Sequence, residues 1–105
     1  MLENTLIITL AEFGRTPGIN ASLGRDHFAS AWSSTLTGAG AKGGVAYGKS
    51  DAQGNKVVEG EVGAAELFAT IYRALGINHQ KNYYVGPRPV PLTEPGTKPI
   101  KEILG

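Results

Sequence analysis

Thr5-Leu6-Ile7-Ile8-Thr9-Leu10 is a short apolar and β-branched run close to the start of the chain, and the way it is covered decides the fold. A strand that is apolar at nearly every position reads as buried on both faces, as inside a parallel sheet with helices above and below. The residues after it offer few elements to cover two faces and pair at two edges. The expectation is therefore an α/β chain that forms one segment of a larger domain.

Working outward from this run, Ala11 to Asp26 has no clean period. Gly14, Pro17, Gly18, Asn20 and Gly24 punctuate it, which predicts a long loop. Loops of this length in compact domains are usually functional or disordered. Trp32 to Thr37 predicts a second strand, ended by Gly38-Ala39-Gly40, and Val45 to Gly48 a short third one. Asp51 to Asn55 reads as a turn from which Lys56-Val57-Val58 returns as a hairpin arm.

The clearest element runs from Gly63 to Leu75. Ala64, Leu67, Phe68, Ile71, Tyr72 and Leu75 fall on one helical face, with Leu67, Phe68 and Ile71 expected to be its packed centre. Glu66 in the first turn and Arg73 in the last suit the helix dipole, and Gly76-Ile77 predicts a Schellman stop. Beyond it the chain reads as loop, holding five of the six prolines from Pro87 to Pro99, before a final helical turn over Pro99 to Leu104.

Bulk properties narrow the function classes. A chain of 105 residues makes one small domain with a modest core. Hydrophobic residues at 41% argue against disorder, and a net charge of +1 is too weak to argue for nucleic acid or an anionic membrane surface. The absence of cysteine excludes disulfides, thiolate-bound zinc and a cysteine nucleophile. No apolar run approaches the roughly 18 residues of a membrane span, and Met1 to Asn4 lacks the basic start of a signal peptide.

Two clusters could carry chemistry. Glu12 stands at the C-terminal end of the predicted strand, where ligands bind in open α/β sheets, and Arg15 could pair with it or clamp an anion. Arg25-Asp26-His27 offers a carboxylate and an imidazole side by side, two of the three or four ligands a metal needs. The bland readings are a solvated loop salt bridge and a capped turn. Gly38 to Gly44 lacks the spacing of a phosphate loop and reads as a tight connection. His79 has no predicted role, Trp32 reads as core or interface, and no serine or threonine stands in a nucleophile setting.

Taken together, Asn4 to Ile8, Glu12 to Pro17, Gly24 to Phe28, Gly38-Ala39-Gly40, Ala69 to Tyr72 and Arg88 to Pro91 resemble a bacterial family designated domain of unknown function 1501, often described as sulfatase-like. The resemblance implies a branch of the alkaline phosphatase and sulfatase superfamily. The implied fold is the C-terminal portion of a large α/β sandwich with metals at its strand ends. It further implies a divalent metal (zinc, manganese or calcium) held by Glu12, Asp26 and His27. Arg15 and Arg25 would contact an anionic phosphate or sulfate ester. The N-terminal portion of the same protein would be the partner that completes the site, and export to the periplasm is implied. Phe13 stands where the superfamily usually has a histidine, which removes one expected ligand. The chain alone is expected to be inactive, and the competing expectation is a non-catalytic binding or structural domain on the same scaffold.

Overall fold

The computed structural model describes Met1 to Gly105. It contains eight short strands and one α-helix, with each strand paired to a single neighbour. The chain forms two compact units, Met1–Leu6, Thr37–Val45 and Val62–Gly105 in one, Ile7–Leu36 and Ala46–Glu61 in the other.

The opening run forms β1, Leu6–Thr9. Next come β2, Gly14–Arg15, and β3, His27–Phe28, which pair antiparallel, then β4, Thr35–Gly38, which pairs with β1. The expected two-sided burial of β1 is not observed. Its faces alternate between half-buried and exposed, with Ile7 at 51% exposure and Leu10, just beyond it, at 47%. The reason is coverage: β4 is the one strand hydrogen-bonded to β1, so no sheet exists in which both its edges and both its faces could be enclosed.

The predicted strand at Val45–Gly48 is also absent. The hairpin arms are β5, Lys49–Ser50, and β6, Val57–Glu59, joined across the predicted Asp51–Asn55 turn. Asp51 caps that turn by accepting the Asn55 amide on its carboxylate at 2.7 Å.

The helix lies where the spacing puts it. α1 spans Ala64–Ala74, and the Glu66 carboxylate accepts the Gly63 amide at 3.0 Å, closing the orphan first turn. At its other end Ile77 N–H donates to the Tyr72 carbonyl and Gly76 N–H to that of Arg73, the two bonds of a Schellman stop. Its buried centre differs from expectation. Leu67 and Ile71 are half-buried, but Phe68 is 48% exposed, and the fully covered residues are Ala69 and Thr70. The segment around Ile100 packs there: Ile100 N–H donates to Thr70 Oγ1 at 2.9 Å, while Thr70 Oγ1 donates to the Glu66 carbonyl at 2.7 Å. A polar side chain thus sits at the best-covered point of this unit with its hydrogen bonds satisfied.

Gly38 to Gly44 turns the chain out of β4, although no strand follows at Val45–Gly48. Ala39 N–H donates to the Leu2 carbonyl at 2.7 Å, and Lys42 N–H to that of Ile103 at 2.8 Å. A Cβ on Gly40 would meet the Ala74 carbonyl oxygen at 2.7 Å, so the end of α1 approaches this backbone more closely than any side chain would allow.

The proline-rich tail is not the expected loop. Asn82–Val85 is β7 and Arg88–Pro91 is β8, an antiparallel hairpin closed by Gly86-Pro87. Gly86 has φ 60°, the positive value a two-residue loop demands at its first position. Val85 faces Arg88, and Leu92 N–H reaches the Lys81 carbonyl at 3.1 Å. By the alternation of antiparallel pairs, Pro89 and Pro91 then fall at positions whose missing N–H would have faced away from β7. Both strands are exposed throughout, Tyr84 at 67%. The final helical turn is a short 3₁₀ piece, Lys101–Ile103.

The covered apolar residues are few, Ala69 and Ile100, joined by the buried threonines Thr70 and Thr93. The accessible surface is 7743 Å², against about 5,600 Å² for a folded monomer of this mass. No helix is long and apolar enough to cross a membrane.

Candidate functional site

The residues singled out around Arg15 and Arg25 come together through one loop. β2 and β3 bring its ends side by side, with Arg15 opposite His27 and Gly14 opposite Phe28. The ladder continues as Thr16 N–H donates to the Asp26 carbonyl at 3.0 Å, and Asp26 N–H donates back to Thr16 Oγ1 at 3.1 Å. Inside the loop, Asn20 Oδ1 accepts the amides of Ser22 and Gly24 at 2.9 and 3.0 Å. An asparagine side chain thus substitutes for a backbone turn. Asn20 Nδ2 then donates to Asp26 Oδ1 at 2.9 Å, which fixes the carboxylate.

The two arginines point their donors at the same loop. Arg15 Nη1 donates to the Arg25 carbonyl at 3.1 Å. Arg25 Nη1 donates to the Thr16 carbonyl at 2.8 Å and also to that of Pro17. A guanidinium carries five donors, so most of those on each arginine remain without a protein partner. Of the two options open to Arg15, the salt bridge to Glu12 does not form; the only ion pair joins the Met1 ammonium to Glu3.

His27 is held by stacking rather than by hydrogen bonds. Its ring lies against that of Phe13, centroids 3.9 Å apart and 27° from parallel, and Arg15 stands 5.7 Å from the centre of the same phenyl ring. Phe13 therefore serves as a platform for the imidazole. Asp26 and His27 are both exposed, and the imidazole nitrogens carry no protein hydrogen bond.

Glu12 is exposed on the segment before β2, and its carboxylate makes no hydrogen bond or ion pair. The structure gathers no group of three histidine, aspartate or glutamate side chains able to hold a metal ion. The implied set of Glu12, Asp26 and His27 is not gathered as three ligands around one point, so these residues do not by themselves complete a zinc, manganese or calcium centre.

Sequence reasoning passed over Thr16 and Asn20, which set the loop's shape. A Thr-Pro-Gly run and an asparagine four residues before a glycine were the available signals, both common in turns that carry no function.

The fold so far is a small mixed assembly of one helix and short two-stranded sheets, and the site a loop that displays cationic donors and a stacked imidazole. The chain belongs to the family described as Protein of unknown function (DUF1501), whose family model matches residues 1–104. No curated protein and no solved structure matches it.

Proposed function

We propose that this chain is the C-terminal segment of a larger alkaline-phosphatase-like and sulfatase-like hydrolase domain, and that its Gly14–Phe28 loop forms the anion-contacting part of a site for a phosphate or sulfate ester. The observation that carries this reading is the loop itself. Hydrogen bonds from Thr16, Asn20 and Asp26 hold its backbone, while Arg15, Arg25 and His27 keep donors or ring nitrogens uncommitted on its exposed side. A pre-shaped backbone with spare guanidinium donors suits bidentate recognition of tetrahedral oxyanions.

Coverage supports the segment reading. The surface in excess of a folded monomer, about 2,000 Å² by the same scaling, is of the order buried in a large protein interface. Ile7 on the opening strand and Leu10 just beyond it are part of it. The N-terminal portion of the same protein is the proposed cover, supplying strands beside β1. A divalent ion belongs to this reading only with ligands from that portion, joined by His27 and Asp26.

The non-catalytic alternative draws on Phe13. A phenyl ring where a ligand is expected suits a scaffold that binds without turnover. One experiment separates the two. The protein is produced with its upstream coding region and assayed for hydrolysis of aryl phosphate and aryl sulfate esters, with His27→Ala alongside. The hydrolase reading expects turnover and a loss of about 10- to 100-fold in the variant, the range seen when a ligand's support is removed. Turnover unaffected by His27→Ala overturns the role given to this loop, and ester binding without turnover establishes the scaffold.

A further inference from the structure

The β7–β8 ribbon belongs to the other unit, and its binding chemistry does not rest on the reading of the Gly14–Phe28 loop. Val85 faces Arg88, and the Leu92 amide is bonded to the Lys81 carbonyl. By the alternation of an antiparallel pair, Tyr83 and Val85 spend their backbone groups on β8. Asn82 and Tyr84 turn their N–H and C=O groups outward, along an edge where β7 has no neighbouring strand. The far edge of the ribbon lacks such donors, because Pro89 and Pro91 hold those positions in β8. An incoming strand can therefore complete a ladder along β7 alone.

The two faces of the ribbon differ in charge. Residues opposite one another share a face, so Lys81, Tyr83, Val85, Arg88 and Val90 stand on one side and Asn82, Tyr84, Pro89 and Pro91 on the other. The first face is cationic. Lys81 Nζ lies 5.2 Å from the centre of the Tyr83 ring, and both Lys81 and Arg88 are exposed and outside any ion pair. No aspartate or glutamate occurs from Asn78 to Thr93 to balance them. The second face is uncharged and displays the Tyr84 ring. A second copy paired antiparallel along β7 would double the cations on the first face and add no anion, which opposes association. A strand that brings anions to that face matches the edge better.

We propose that the outer edge of β7 captures an extended segment of another protein in which acidic and apolar residues alternate, added as a third strand. Its backbone bonds Asn82 and Tyr84, its acidic side chains meet Lys81 and Arg88, and its apolar ones cover the Tyr84 face. The probe is a capped peptide of about six residues alternating glutamate and valine, with a lysine–valine peptide as control. Both are titrated into the chain at constant ionic strength and followed by amide hydrogen exchange. The glutamate peptide should slow exchange saturably at the outward amides of Asn82 and Tyr84, and the lysine peptide should not. Lys81→Gln and Arg88→Gln should each weaken binding about two- to fivefold, the range of an exposed ion pair. Both positions are exposed, so these variants keep the fold, which the amide spectrum verifies. Tyr84→Pro removes an outward donor without touching the ladder to β8 and should abolish protection at Asn82. Absence of protection, or equal protection by the lysine peptide, overturns the proposal. Protection that rises with the chain's own concentration assigns the edge to a second copy and also overturns it. So does protection already present, without peptide, in the protein produced with its upstream coding region.

Discussion

At the scale of single residues, Thr70 shows how little apolar material this chain covers. Its side chain is fully enclosed, yet its task is to satisfy the Ile100 amide on one side and the Glu66 carbonyl on the other. Thr70→Val keeps the volume and leaves a buried N–H without a partner, a cost of about 1–3 kcal/mol. Thr70→Ser retains the hydroxyl and should cost less. Urea unfolding of the two variants checks the order; a valine variant as stable as the parent would show that the Ile100 amide finds water instead. Residue types in the candidate loop were legible because charged side chains around glycines stand out in sequence. Their partners were not: nothing in the string says that Asn20 reaches Asp26, since that bond exists only once the loop has turned.

At the scale of elements, α1 was legible from spacing and from both of its ends. The strands were less so. An apolar run fixes the strand at Leu6–Thr9, but burial depends on neighbours, and the run cannot report how many it has. The β7–β8 hairpin was hidden by its prolines, which signal loops in most contexts yet are compatible with an outer strand edge. Its turn makes a direct prediction. Gly86→Ala forces an L side chain into a left-handed conformation at about 1–2 kcal/mol. Hydrogen exchange at the Tyr83 and Val85 amides should quicken about five- to thirtyfold if the hairpin opens locally. Unchanged exchange would mean that the loop adopts another turn.

At the scale of the whole molecule, the balance between covered and exposed apolar groups governs behaviour. With Ala69 and Ile100 as its covered apolar residues, the chain on its own should melt broadly, below roughly 50 °C, and bind hydrophobic dyes in its folded state. A sharp monomeric transition at about 60 °C or above would show that the exposed surface is tolerated without a cover. The hairpin bears on what such a surface does when crowded. Exposed strand edges invite copies to stack into sheets. Here Pro89 and Pro91 remove the outward donors from β8, whereas β7 keeps its own. Any sheet that grows through this ribbon can therefore add a strand on the β7 side only, so the ribbon acts as a chain terminator: two copies can pair edge to edge, and further copies find no template.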